Sequence, residues 1–250
     1  MAEHVGVDWG SNGWVCARWN DGDGWDAMVL PSFLDVWCEY ESADRILVDI
    51  PIGLPDVGDH RACDTEAKEV LSHAHQRVFL TPPRKALEHE SYEKAKEETD
   101  SSMTTQAWSI LPRIREVDTF LSEYPEAKGQ IREAHPEVCF EKLDGGVGGA
   151  SSKQSESGVE ARIEILKQFD EYDVDEAYPD LVDEHIENLD AWGRRFRSSN
   201  RDDLLDAMGL AVMSSRAGDA LRFLPVAAES PPEDSEGLPM EIVYFDPSSQ

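Results

Sequence analysis

Residues 5–15, VGVDWGSNGWV, constrain the fold more than any other stretch of the chain. A β-favouring apolar run delivers one acid, Asp8, to a strand end. The Gly10-Ser11-Asn12-Gly13 turn follows at once, and GWVCARW (13–19) leads back as a second strand. Turn chemistry between two apolar runs predicts a hairpin. The Asp21–Gly24 turn and WDAMVL (25–30) extend it to an antiparallel meander. Residues 31–43 have helical composition. RILVDIP (45–51) is then a continuous apolar run closing on Asp49, the pattern of a parallel strand buried on both faces. The predicted order is βββαβ, with Asp8 and Asp49 ending two neighbouring strands.

That order resembles the opening of the ribonuclease-H-like sheet, so the expected fold class is α/β: a mixed sheet, antiparallel meander first and parallel strands after, flanked by helices. Actin-like sugar kinases begin with the same strand, acid and glycine turn. Both readings remain open at this point.

Charge is the second constraint. Asp and Glu number 52 against 23 Lys and Arg, a formal charge of −29 spread along the whole chain. Seven Trp, eight Phe and six Tyr argue against a disordered acidic tail. The dispersed acidity resembles that of proteins from salt-accumulating halophiles, and a halophilic archaeon is the expected source. At 1 M salt the Debye length is about 3 Å, so self-repulsion is largely screened. No apolar run reaches the roughly 20 residues that span a bilayer, so no membrane partner is expected. MAEHVGVDWG lacks a basic region followed by an apolar stretch, which predicts a cytoplasmic protein. Four cysteines without CxxC spacing read as reduced and structural.

Further along, 62–72 and 88–99 are helical in composition, and 103–123 reads as a longer helix broken or started near Pro112. These form a predicted helical insertion at 60–125 within a single domain spanning 1–250. QIREAHPEVCFEKL (130–143) has a β-like centre that would put Glu133, His135 and Glu137 on one face. The Gly/Ser-rich stretch 144–158 reads as a flexible loop. Helices are predicted at 158–169, 176–192 and 201–218, the last stopped by Gly218, with a strand at 240–245.

The blocks VDIPIGLP, RACDTEAK, RVFLTPPR, EAHPEVCF, SKQ with the following Gly158 and Arg162, and DDLLDA resemble the conserved blocks of the DUF429 family. That family is described as predicted nucleases with a ribonuclease-H-like fold, and the resemblance runs from residue 5 to about 245. One departure is Arg77, where the family more often has a small hydroxyl residue before the Val-Phe pair.

A nuclease of this kind hydrolyses phosphodiesters with carboxylates gathered on divalent ions. Asp8 and Asp49 supply two, and Asp203 and Asp206, three apart, share a face of the last helix. These four are the candidate metal ligands, for Mg²⁺ or Mn²⁺, and are candidate catalytic residues together with Glu137, which the resemblance to the His-Pro-Glu block favours. Arg61, Arg77, Arg84, Lys153 and Arg162 are candidate substrate-binding residues, because guanidinium groups beside a carboxylate cluster can hold phosphate. Pairing with the abundant acids explains the same basic residues equally well. The expected partner is nucleic acid or a nucleotide; a homodimer is compatible with the sequence but not required by it. The alternatives are an ATP-dependent phosphotransferase of the actin-like kind, with Gly10–Gly13 on the phosphates, and a non-catalytic binding protein with the same fold.

Overall fold

The N-terminal hairpin forms as expected, and the neighbouring strands take their register from it. A computed structural model describes residues 2–72, 74–99, 103–145, 156–188, 196–218 and 220–247. In chain order the elements are β1 (Glu3–Gly10), β2 (Gly13–Asn20), β3 (Gly24–Leu30), α1 (Phe33–Tyr40), β4 (Arg45–Val48), α2 (Ala62–Val70), α3 (Tyr92–Thr99), α4 (Thr105–Glu123), β5 (Ile131–Glu133), α5 (Pro136–Leu143), α6 (Glu156–Lys167), α7 (Val174–Val182), α8 (Arg201–Ala217), β6 (Arg222–Leu224) and β7 (Ile242–Tyr244). The main sheet has five strands in the order β3-β2-β1-β4-β5. β1 is antiparallel to β2 and parallel to β4. This is the predicted mixed α/β sheet, compatible with a ribonuclease-H-like fold.

The chain divides into two units, the first being 1–49, 134–221 and 244–250, the second 50–133 and 222–243.

In the first unit, strand alternation assigns each side chain of β1 to a face. His4, Gly6, Asp8 and Gly10 share one face. Their partners Trp19, Ala17, Val15 and Gly13 on β2 lie on it too. α8 covers that face, running opposite to β1. A Cβ built on Gly6 would overlap the Ala207 carbonyl and come 2.8 Å from both the Ala211 nitrogen and Leu210 Cβ. At the far end His4 Nδ1 lies 3.0 Å from Ser214 Oγ. Arg45 caps the helix by donating to the Ser214 and Gly218 carbonyls at 3.0 and 2.8 Å. The other face carries Val5, Val7 and Trp9, where Trp14 stacks edge-on against Trp9 and against Phe33 of α1, at 5.2 and 5.1 Å between ring centres. Every residue of α8 from Leu204 to Ser214 is buried, each fully buried Leu or Met contributing about 1.5–3 kcal/mol.

The second unit is held by polar interiors. Arg61 is 1% exposed, and its guanidinium donates to Asp64, to both oxygens of Glu133 and to the Ile52 and Gly53 carbonyls. Arg84 joins Asp118 and Asp234. α4 passes through Pro112 without a break, giving up the hydrogen bond that residue would donate to Trp108. Its buried stripe of Leu111, Ile114, Val117, Phe120 and Leu121 outweighs that loss.

Two local predictions are corrected. The strand ending in Asp49 stops at Val48. The β-like centre of 130–143 is a strand only to Glu133, after which Pro136 starts a helix at its first position, where a proline's fixed φ suits helix geometry. Glu133, His135 and Glu137 therefore do not share a strand face. Of the Gly/Ser-rich loop at 144–158, residues 146–155 lie outside the described residues. Among the described residues no helix is long and apolar enough to cross a membrane.

Candidate functional site

The site grows out of the sheet face beneath α8, within the first unit. Asp8 is buried between Gly6 and Gly10 on that face. Asp49 stands one residue past the Val7–Val48 pair, and its N–H donates to the Val7 carbonyl at 2.9 Å. Parallel register makes Asp49 the neighbour of Asp8 on the same face. Asp49 is half-buried, so this pair of carboxylates meets solvent on one side.

α8 brings its acids to the same face. A Cβ on Gly10 would meet Asp203 Oδ2 at 3.0 Å and would overlap the Asn200 amide. A side chain at position 10 would therefore have to displace the Asn200 amide and crowd Asp203 at the start of α8. Asn200 Nδ2 donates to Asp203 Oδ2 at 2.9 Å, while its Oδ1 accepts from the Arg197 N–H at 2.8 Å.

Asp206 is 0% exposed, and Arg162 of α6 forms an ion pair with it. The same guanidinium donates through Nη2 to Glu137 Oε1 at 2.7 Å and lies 4.7 Å over the Phe140 ring. Phe140 fits because Gly209 of α8 has no side chain: a Cβ there would stand 2.7 Å from Phe140 Cζ. Burial would discharge Arg162, but Asp206 and Glu137 outweigh it and hold the group protonated. The Cys139 thiol is pushed well up by burial and then by the charges of Asp49 and Asp206, so both carboxylates act on one buried sulfur. His135 sits at the N-cap of α5 with a buried Nδ1 that has no hydrogen-bond partner. It is tied to the site through its neighbour Ala134, whose N–H donates to the Val48 carbonyl at 3.0 Å.

Of the residues singled out in the sequence, Asp8, Asp49, Glu137, Arg162, Asp203 and Asp206 belong to the first unit, on or beside this face. Arg61, Arg77 and Arg84 belong to the second unit. Arg61 and Arg84 are engaged there with acids, and Arg77 ends a short 3₁₀ turn. Lys153 lies outside the described residues. Among the described residues, no three His, Cys, Asp or Glu side chains are grouped so as to hold one metal ion.

Sequence reasoning missed Asn200, Phe140 and the partner of Asp206. An Asn just before a helix is a legible capping signal. The contact of Arg162 with Asp206 joins positions 44 apart and leaves no local trace.

No curated protein and no solved structure matches the chain. A family model does, over residues 6–230, under the description "Protein of unknown function (DUF429)". With that match running through both Asp8 and Asp206, the chain belongs to the DUF429 family.

Proposed function

We propose that the protein is a divalent-metal-dependent hydrolase of phosphodiester bonds, a nuclease or nucleotide hydrolase, acting at the Asp8–Asp49 face. The observation that carries this reading is the pairing of two acids at in-register strand ends, one of them open to solvent, under a helix that adds further carboxylates. The donor set suits a hard cation, since Mg²⁺ takes oxygen ligands, commonly one or two carboxylates, and keeps several waters. Asp8 and Asp49 would hold Mg²⁺ or Mn²⁺. Bound there, the ion supplies a more acidic water and neutralises charge at phosphorus. The chain's own residues set the surroundings: Asn200 orients Asp203, and Arg162 fixes Asp206 and Glu137 and places a permanent positive charge beside them.

The packing of the glycine turn favours hydrolase over phosphotransferase. A Cβ on Gly10 would meet Asp203, and one on Gly13 would meet Val29 Cγ1 at 2.6 Å and the Leu30 carbonyl at 2.7 Å. Both glycines serve close packing, and the carboxylate at Gly10 would repel a phosphate cradled there.

A surface of −29 opposes binding of a polyanion in dilute buffer, because affinity for phosphate comes mainly from cations. We read the acidity as adaptation to high salt in a halophile, with screening that removes the repulsion. The test is cleavage of labelled single-stranded, duplex, hybrid and dinucleotide substrates in KCl of about 1 M or above, with Mg²⁺ or Mn²⁺. Asp8→Asn should lower the rate by roughly 10²-fold or more while leaving the fold intact. Absence of cleavage by the wild-type chain with every metal and substrate would remove the reading.

A further inference from the structure

We propose that His4 is a pH-sensitive clasp: in its neutral form it holds the C-terminal end of α8 against β1, and its protonation loosens that end. The inference goes beyond the hydrolase reading and does not depend on it, although α8 is also the helix that carries Asp203 and Asp206.

β1 turns two titratable side chains towards α8, Asp8 nearer one end and His4 at the other. Between them Gly6 brings the strand against the backbone of α8, so the interface has little slack. His4 is 8% exposed, and Ser214, its partner on the helix, is fully buried. Their contact, 3.0 Å from Nδ1 to Oγ, is one hydrogen bond that a neutral imidazole can make in either direction. Once protonated, both ring nitrogens must donate, and the cation is almost shut off from water.

The charged groups acting on the ring are Asp44, Arg45 and Asp21; α8 contributes the Ser214 hydroxyl and β2 pairs Trp19 opposite His4. Arg45, the neighbour on β4, donates to the Ser214 and Gly218 carbonyls. A cation therefore already occupies the helix C-terminus, the place where a charged histidine would otherwise be favoured. Asp44 and Asp21 draw a proton to the ring, but both are exposed, and salt screens exposed charges without relieving burial. Burial is the largest influence and, with Arg45, holds the imidazole below its ordinary 6.5. The closed interface thus refuses a proton that the opened chain accepts. The stability from this group is intact above 6.5 and is lost as pH falls through the lower folded value.

Hydrogen exchange of the full chain in KCl of about 1 M, at pH about 7.5 and about 5.5 and corrected for the intrinsic effect of pH, tests this locally. Opening of residues 210–217 should rise at least about threefold at the lower pH, since linkage through one histidine gives up to about tenfold per pH unit. His4→Asn keeps a polar group near Ser214 but cannot titrate, and should show no such rise. A smaller rise in the wild type, or an equal rise in His4→Asn, would overturn the inference. If the variant does not fold, nuclear magnetic resonance titration of the His4 ring in the wild type decides. A midpoint below 6.5 is expected, and one at or above 6.5 would overturn the clasp.

Discussion

Gly6→Ala is expected to be among the most destabilising single-methyl changes in the first unit. The added carbon overlaps the Ala207 carbonyl and comes 2.8 Å from the Ala211 nitrogen, both backbone atoms of α8 that no rotamer change can move. The helix must lift off β1, loosening His4–Ser214, the Arg45 cap and the cover over Asp8 together. Overpacking of this kind costs about 1–3 kcal/mol where side chains can yield, and more where they cannot. A loss of about 3 kcal/mol or more is predicted from a total stability of about 5–15 kcal/mol, with Gly6→Val failing to accumulate as folded protein. Gly209→Ala is the internal comparison. Its obstacle is the far end of the Phe140 side chain, which can swing, so its cost should be smaller. Urea midpoints for the two variants check this, and a Gly6→Ala midpoint equal to the wild type would contradict the close approach of α8.

The second large effect belongs to Arg61. Its donors serve Asp64, Glu133 and two carbonyls in an interior closed to water. Asp64 also accepts from the Thr81 N–H at 2.7 Å, and Glu133 from the Ile52 N–H at 2.6 Å. Arg61→Met leaves two buried carboxylates without their cation, a change that costs about 3–5 kcal/mol in comparable pairs. Thermal melting should show the loss; a change below about 1 kcal/mol would contradict the network.

The same network predicts a pH dependence. Two carboxylates share one guanidinium, leaving an excess negative charge. Burial pushes Glu133 up to about 7 against the pull of Arg61. The folded chain then keeps a proton on Glu133 that the unfolded chain, at the ordinary 4.5, has released. The stability from this group is present in full below 4.5 and declines as pH rises towards about 7. Glu133→Gln should remove that part of the slope, read as the wild-type minus variant difference in unfolding free energy between those pH values.

Parts of this architecture were readable from local pattern alone. The meander, the helix ending at Gly218 and the apolar strand that leads to Asp49 follow from alternation, turn residues and an apolar run, all signals carried within a dozen neighbouring residues. Placing Asp8 and Asp49 side by side needed only the parallel pairing of β1 with β4. The rest depends on contacts between distant positions. Arg162 and Asp206, or Arg61 and Glu133, leave no periodic trace, and a basic residue offered to phosphate looks the same in sequence as one pledged to an internal acid. EAHPEVCF misled because its alternation of polar and apolar residues resembles a strand until Pro136 starts a helix. Gly10 read as turn chemistry alone, and Gly6 as an ordinary strand position; a Cβ at Gly6 would meet the backbone of α8, and one at Gly10 the side chains of Asn200 and Asp203.

Anomalous diffraction from Mn²⁺-soaked crystals of the wild-type chain tests most directly whether Asp8 and Asp49 together hold the proposed divalent cation. An anomalous peak at Asp8 and Asp49 is predicted, absent from Asp8→Asn crystals soaked in the same way. A Mn²⁺ peak elsewhere in the molecule with none between these two residues would contradict it.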